Sequence, residues 1–254
     1  MGHHETTIDQ FTRQAAGFAS AAAMNDASAM ELLLRATGVG ASDRVLDVAC
    51  GPGIVAAALA QEAERAVGID LTPQMVAQAR RRCAAQGLSN VSFDVGDVAR
   101  LPYLDGAFTI VTCRYALHHL VDPGDVVKEM ARVCAPGGRI VVADIVVGTD
   151  PAVAHRFNDV ERARDPSHVR ALTAKEILTA MRTAGLSPQL EGAYQLAVEL
   201  ESLLARSASP DPDDVRARFG RAIATGETLG LGERNEDGKI RFEFPIVLAV
   251  GELA

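Results

Sequence analysis

The segment between Val45 and Gly53, with the sequence VLDVACGPG, constrains the fold of this chain more than any other stretch. It opens with a short apolar run that contains one carboxylate, Asp47, and it ends in a tight Gly-Pro-Gly turn. An alanine-rich stretch with helical character follows over residues 54–66. Such a turn lets a ligand approach the backbone, because glycine lacks a side chain and the first N–H groups of a helix are unpaired. The segment therefore predicts a binding turn at the end of a buried strand.

Two kinds of nucleotide-binding protein carry a turn of this type. Residues 51–56 fit the loose pattern G-x-G-x-x-A of dinucleotide-binding folds. Asp47 instead favours a methyltransferase that binds a nucleoside, because a carboxylate attracts a sulfonium or amino group and gives a phosphate no advantage. A structural turn without a ligand is the third interpretation, since the glycine pattern alone is a weak signal.

Charge and composition argue against large anionic partners. The chain of 254 residues has a formal net charge of −8, only 4% of its residues are aromatic, and it has no Trp. Proteins that bind nucleic acids or anionic membranes present basic surfaces, and many that bind nucleic acids also use aromatic stacking. We therefore expect a small-molecule partner, no nucleic acid and no membrane, for a protein that is a monomer or a homodimer.

Cysteine spacing and the N-terminus bear on the compartment. The four cysteines form no C-x-x-C pair and predict buried free thiols in a reducing compartment. The polar N-terminus lacks the apolar core of a signal peptide, and no apolar run reaches the ~18 residues of a membrane span. These features predict a cytoplasmic protein, in which His3 and His4 are either native or added residues.

Apolar runs alternate with helical patterns along the chain. Residues 148–172 are polar and charged, and a helical insert is predicted over residues 200–229. The alternation predicts a mainly parallel sheet with helices on both faces, within one domain. Strands are predicted at residues 44–48, 66–70, 90–95, 108–113, 139–147, 196–198 and 242–250.

The loops after four predicted strands carry the candidate ligand contacts. They comprise residues 49–53, 70–71, 96–98 and 113–119. The carboxyl ends of parallel strands share one sheet edge, so these loops converge where such folds bind ligands. Asp70 can accept both ribose hydroxyls of a nucleoside there, because its alternative role as a helix cap is already filled by Thr72.

The N-terminal segment has an amphipathic pattern of its own. Ile8, Phe11, Ala15 and Phe18 recur at helical spacing and predict a helix outside the sheet. Two interpretations stay open for this helix, a lid over the ligand and an ordinary packing helix.

The order and spacing of five motifs resemble the class I S-adenosylmethionine-dependent methyltransferases. The similarity is greatest to the small-molecule group that includes the ubiquinone and menaquinone biosynthesis enzymes. This resemblance implies a Rossmann-like, seven-stranded, mainly parallel sheet with an antiparallel last strand. It divides the single domain 1–254 into an N-terminal helical lid (1–40), a cofactor-binding core (41–150) and an acceptor-side segment with a C-terminal hairpin and a helical insert (151–254). The motifs are VLDVACGPG (45–53), GID (68–70), GDVARLPYLDGAFTIV (96–111), ALHHL (116–120) and EMARVCAPGGRIVVAD (129–144).

The resemblance also implies how individual residues bind S-adenosylmethionine. Asp47 and the backbone carbonyl of Arg114 lie near the methionine amino group, and Gly51 and Gly53 let the methionine and ribose pass close to the backbone. The ribose hydroxyls and the adenine are held by Asp70, Leu71, Asp97 and the Val98 backbone.

The acceptor side is less constrained by the sequence. His119 and His168 are the best candidates for acceptor contact or for a general base, because histidine titrates near neutrality. Packed or capping histidines are the alternative, and at least one of His118 and His119 is expected to be packed. The six histidines show no metal-ligand spacing, so no metal is predicted.

The predicted reaction is an in-line transfer of the methyl group to an oxygen, carbon or nitrogen of a small molecule. Two alternatives stay open on the sequence alone. One is a methyltransferase-like fold that binds the cofactor without methyl transfer, and the other is an NAD-dependent oxidoreductase.

Overall fold

The computed structural model describes residues 2–20 and 26–253, and the side chain of Phe18 lies outside the described residues. Within this part, eight strands form one sheet in the order β3-β2-β1-β4-β5-β8-β6, with β7 paired to β8. The strands are β1 (Arg44–Val48), β2 (Arg65–Asp70), β3 (Val91–Val95), β4 (Phe108–Arg114), β5 (Cys134–Ile145), β6 (Leu186–Glu199), β7 (Arg234–Glu236) and β8 (Lys239–Leu253).

Strand directions confirm the predicted fold class. The pairs β3-β2, β2-β1, β1-β4 and β4-β5 are parallel, whereas β8 is antiparallel to both β5 and β6. The fold is thus a Rossmann-like sheet of seven strands with an antiparallel last strand, to which the three residues of β7 are an addition.

Nine α-helices in the described residues accompany the sheet. The cap of α2 is the side chain of Asp26, which accepts from the Ala29 N–H at 2.8 Å. A capping box of Thr173 and Glu176 is present at the start of α7. The helices are α1 (His3–Ser20), α2 (Ala27–Thr37), α3 (Ile54–Leu59), α4 (Pro73–Ala85), α5 (Pro123–Val133), α6 (Pro151–Arg164), α7 (Ala174–Thr183), α8 (Leu200–Ser207) and α9 (Pro212–Thr225).

Alternation along the buried strands places helices on both faces of the sheet. On one face, Leu46 of β1 belongs to a core that includes Met130 of α5 and Ile177 of α7. On the other face, Val45 packs in a core with Leu33 of α2. Adjacent strand residues thus serve opposite cores, which is why β1 is almost continuously apolar.

The helices differ from the sequence prediction in two places: one helix is shorter than predicted, and another was not predicted. The helix predicted over residues 54–66 ends at Leu59, because the following turn is held by the Asn90 side chain, which donates to the carbonyls of Ala60 at 2.8 Å and Ala63 at 3.0 Å. The polar segment 148–172, to which no helix was assigned, contains α6. Its buried face includes Glu161 besides Phe157, so the apolar periodicity is weak.

The later strands are longer than the sequence predicted. β5 begins at Cys134, ahead of the strand predicted over residues 139–147, so Gly137 and Gly138 lie within its irregular first part. Gly138 is required there, because a Cβ atom would lie 2.8 Å from the carbonyl oxygen of Thr109. β6 and β8 likewise extend well beyond the short apolar runs that indicated them.

Candidate active site

A cavity of about 280 Å³, here called the first cavity, opens at the carboxyl ends of β1, β2 and β4. The four predicted loops converge on it. Eight of the ten residues predicted from the sequence line it, and Gly53 and His168 do not. The eight are Asp47, Gly51, Asp70, Leu71, Asp97, Val98, Arg114 and His119.

Gly51 and Gly53, in the turn between β1 and α3, have different surroundings. Gly51 lines the cavity with a φ of 51°, and a Cβ atom there would meet open space. Gly53 has a φ of 73°, and its Cβ atom would lie 2.7 Å from the Cβ of Ala79 in α4. Gly51 therefore leaves the backbone open to a ligand, whereas Gly53 acts through packing, away from the ligand passage assigned to it.

Asp47 is a buried carboxyl group with two protein partners. One oxygen accepts from the Thr112 hydroxyl at 3.0 Å, and the other accepts from the Ala56 N–H at 3.1 Å. Burial raises the pKa of Asp47 to about 7, although these hydrogen bonds and Arg114 act in the opposite direction. The group is therefore close to half ionised at neutral pH, and a cation beside it would favour its charged form.

Asp70 is fixed by the backbone on either side of the cavity. Its Oδ2 accepts from the Gly51 N–H and its Oδ1 accepts from the Thr72 N–H, both at 2.8 Å. Burial raises the pKa of Asp70. Each oxygen retains acceptor capacity for a ligand. Thr72, expected to cap α4, occupies the N-cap position but makes no side-chain capping bond.

Asp97 is the third predicted carboxylate that lines the first cavity, whose wall also includes Asp122 and Asp125 at the start of α5. Its Oδ1 accepts from the Ala99 N–H at 2.9 Å, which holds the side chain in the loop after β3. Val98 beside it is 6% exposed and packs in the main core. Carboxylates that converge on one cavity favour a ligand rich in hydrogen-bond donors and positive charge.

The helix α1 covers the first cavity from outside the sheet. Four of its residues line the cavity: His3, His4, Thr7 and Phe11. His3 Nε2 lies 2.8 Å from the carbonyl oxygen of His119. The helix is thus part of the cavity wall in this structure.

Comparisons with known proteins agree with this geometry. Residues 45–138 match the family described as a methyltransferase domain. An uncharacterized methyltransferase, YcgJ of Bacillus subtilis (strain 168), is 34% identical over 179 residues, which cover 70% of this chain and 71% of that protein. The chain belongs to the S-adenosylmethionine-dependent methyltransferases.

Further relatives of this methyltransferase fit the same family. The crystal structure of YcgJ superposes with a TM-score of 0.83 at 30% identity, covering 89% of this chain and 98% of that one. A putative methyltransferase from Bacillus halodurans C-125 gives 0.81 at 28% identity, with 89% and 100% covered. A demethylmenaquinone methyltransferase of Deinococcus radiodurans is 43% identical over 103 residues, or 40% of this chain and 42% of that protein. Family membership decides against the dinucleotide-dependent oxidoreductase.

The two candidate histidines of the methyltransferase lie in different places. His119 lines the first cavity, and its ring Nδ1 lies 3.1 Å from the Ser167 hydroxyl. Burial, together with His118, lowers the pKa of His119, so the ring is neutral at physiological pH. His168 is 3% exposed and reaches no cavity wall, because its Nε2 is bonded to the Asn158 side chain at 2.8 Å. The expected acceptor contact through His168 has no support in this geometry.

The remaining histidine of the loop is structural. His118 is buried, and its Nδ1 lies 2.5 Å from Asp144, a buried carboxylate that also accepts three backbone N–H groups. This confirms that at least one of the two adjacent histidines is packed.

Several residues at the site were not identified from the sequence. Thr112 faces Asp47 across the β1-β4 pairing, and its only signal is a hydroxyl within an apolar run. Tyr115 lines the first cavity with a φ of 56°, a strained value for a bulky residue. Ser167 and Asp165 carried no motif at all.

Neither a metal-ligand cluster nor a membrane-spanning helix is found in the part of the chain that the structure describes. No group of three or more His, Cys, Asp or Glu residues among residues 2–20 and 26–253 is placed to hold a metal ion. Over the same ranges, no helix combines the length and the apolar character of a membrane span. The four cysteines are buried free thiols, as predicted.

Proposed function

We propose that this methyltransferase binds S-adenosylmethionine in the first cavity and transfers its methyl group to a small-molecule acceptor by in-line displacement. The convergence of Asp47, Asp70 and Asp97 on one cavity carries the proposal. S-adenosylmethionine offers an ammonium group, a sulfonium, two ribose hydroxyls and an adenine amine, which are all donors or positive charges. A dinucleotide instead carries a pyrophosphate, which three carboxylates would repel.

The ribose is assigned to Asp70. Backbone N–H groups hold both carboxylate oxygens in place before any ligand arrives. The free lone pairs can then accept the two ribose hydroxyls without a further cost of ordering the side chain. The open space beside Gly51 supports the same placement, because the sugar can lie against the bare backbone.

The methionine end is assigned to Asp47 and to the backbone carbonyl of Arg114. Asp47 is buried, so an ammonium group beside it interacts in a medium of lower polarity than water. The adenine is assigned to Asp97, which accepts from its exocyclic amine, with the Val98 backbone beside it and Leu71 against the ring. All these residues line the same cavity.

The protein contributes to catalysis mainly by positioning the two substrates. The sulfonium is already an activated methyl donor, so the enzyme gains rate by aligning the acceptor and excluding water. The helix α1 supports this proposal, since it covers the first cavity in the manner of the predicted lid. A relative named for demethylmenaquinone supports a small-molecule acceptor.

Calorimetry with S-adenosylmethionine, S-adenosylhomocysteine and NAD tests the cofactor assignment. We expect the first two to bind and NAD not to bind, and NAD binding alone would contradict the proposal. A screen of phenols, quinols and amines for release of S-adenosylhomocysteine then separates methyl transfer from cofactor binding without transfer, because only transfer produces the demethylated product.

A further inference from the structure

A second cavity of about 70 Å³ adjoins the first cavity. Phe11, Tyr115 and His119 line both, so these three residues form the boundary between them. Its wall is otherwise largely apolar on the sheet side, with residues from β5, β6 and β8. These are Ile145, Leu196, Val198 and Phe244. Among the described residues, His119 and its two neighbours therefore lie between a molecule in the second cavity and the first cavity.

A chain of hydrogen bonds behind this boundary ends on His119. The Ser167 hydroxyl donates to Oδ1 of Asp165 at 2.5 Å, and its oxygen lies 3.1 Å from Nδ1 of His119. Asp165 is 2% exposed, and its other oxygen accepts from the Gln14 side chain at 3.2 Å. Burial alone would raise the pKa of Asp165, but the charge of Arg164 and the hydrogen bonds from Ser167 hold it below its usual range. The carboxyl is therefore ionised and can only accept.

This chain fixes the position of the proton on His119. Ser167 has one hydroxyl proton, and Asp165 takes it, so the serine oxygen must accept from Nδ1 of the histidine. In a neutral imidazole with a proton on Nδ1, Nε2 is a bare acceptor. Within the described residues, no protein group bonds to Nε2, although the ring lines both cavities.

Resting on the proposed methyl transfer, we propose that the second cavity holds the acceptor, a small apolar molecule whose phenolic or enolic hydroxyl donates to Nε2 of His119. A hydroxyl is a poor nucleophile until its proton is accepted, whereas a neutral amine attacks without prior loss of a proton. A bare ring nitrogen oriented by a buried carboxylate is the arrangement that a hydroxyl acceptor needs. The apolar wall matches the rest of such a molecule.

The step balances within the site. The acceptor oxygen forms a bond to the methyl carbon while the bond from carbon to sulfur breaks, and that electron pair stays on sulfur to give the neutral thioether. The hydroxyl proton moves to Nε2 of His119. The positive charge of the sulfonium thereby passes to the imidazole, whose Nδ1 proton remains bonded to Ser167, with the Asp165 carboxylate behind it.

Nitrogen-15 NMR of the histidine rings tests the proton position without cofactor or acceptor. We expect His119 to show a protonated Nδ1 and an unprotonated Nε2 at pH 7. Ser167→Ala should shift the ring toward a mixture of the two tautomers, and the matched control His155→Gln, at an exposed residue of α6, should leave the His119 signals unchanged. A protonated Nε2 in the unmodified protein would overturn the proposal.

Binding of matched probes tests the acceptor class. Protein saturated with S-adenosylhomocysteine is titrated with 4-methylphenol and with 4-fluorotoluene, which has nearly the same shape but no hydroxyl. We expect the ratio of the two affinities to fall about tenfold in His119→Phe and to stay unchanged in His155→Gln, as the loss of one hydrogen bond requires. An unchanged ratio, including binding of neither probe, overturns the acceptor assignment. Failure of S-adenosylhomocysteine to bind would instead contradict the proposed function, while the NMR result still decides the role of His119.

Discussion

The first cavity and the second cavity differ in how far along the chain their polar contacts reach. In the first, the backbone N–H partners of Asp47, Asp70 and Asp97 lie 2 to 19 residues away in sequence. In the second, the bond from His119 to Ser167 spans 48 residues, and the bond from Gln14 to Asp165 spans 151. Strand-end turns thus build one cavity, whereas the other exists only once distant segments have packed together.

This difference corresponds to the two substrates proposed for the two cavities, the methyl donor in the first and the acceptor in the second. The contacts proposed for the cofactor depend mainly on local turns, besides the bond from Thr112 to Asp47 across 65 residues. The proposed acceptor contacts depend on α1, on α8 and on the loop after α6, which can change without disturbing those turns. We infer that the acceptor side can vary in sequence independently of the cofactor side.

The largest expected effect on cofactor affinity comes from a substitution in the first cavity, whose contacts are mainly local. Asp70→Ala removes two hydrogen bonds to a charged acceptor, each worth about 1.5–3 kcal/mol, and should weaken binding of S-adenosylhomocysteine by about a hundredfold or more. Calorimetry measures this directly. The control Asp213→Ala changes an exposed carboxylate of α9 and should bind like the unmodified protein. Equal affinity of Asp70→Ala and the control would remove the ribose assignment.

A smaller effect is expected where the two cavities meet. Phe11→Ala truncates a ring that lines both, and the lost apolar contact, about 2 kcal/mol, should weaken cofactor binding by about thirtyfold. Removal of residues 1–23 should have at least this effect while the rest of the chain stays folded. The control Thr12→Ala changes the neighbouring residue, which bonds to Gln74 of α4. If truncation leaves cofactor affinity unchanged, α1 is a packing helix and the lid interpretation fails.

The smallest effect concerns the ionisation of Asp47. Its pKa of about 7 means that the free protein is mostly ionised at this group at pH 8 and mostly protonated at pH 6. A cation beside Asp47 binds the ionised form, so affinity for S-adenosylmethionine should fall as the pH falls, by about tenfold between pH 8 and pH 6. In Asp47→Asn this dependence should vanish. A flat pH profile in the unmodified protein would place the cationic end of the ligand elsewhere.

Much of the first cavity could be predicted from the sequence because the motifs that form it are local. The glycine turn, Asp70 at the end of β2 and Asp97 after β3 each follow an apolar run, and the parallel sheet brings such positions to one edge. The same reasoning predicted a mainly parallel sheet, whereas the antiparallel last strand followed from the family resemblance. The motif gives no sign, however, that Gly53 packs against Ala79 in α4.

Apart from His119 and the helix α1, the polar contacts of the second cavity could not be predicted, for an equally physical reason. The helix α6 buries Glu161 and Arg164, which pair with each other at 2.6 Å, so its inward face has the polarity of a surface. Ser167 matters only through its contacts with Asp165 and His119. No periodicity or motif reports such contacts, which is why His168, a more conspicuous residue in the sequence, was singled out instead.

The position of α1 has a consequence for the order of events. The side chains of Gln10 and Gln14 both donate to the carbonyl of Ser207, at 2.5 and 2.9 Å, so α1 is fastened to the last turn of α8. Phe11 on the same helix lies against both cavities. If α1 must lift for either substrate to enter, then release of the demethylated cofactor and release of the methylated product share one opening motion. Turnover would then depend on that opening motion as well as on the transfer itself, because lid opening and product release limit the rate of many enzymes.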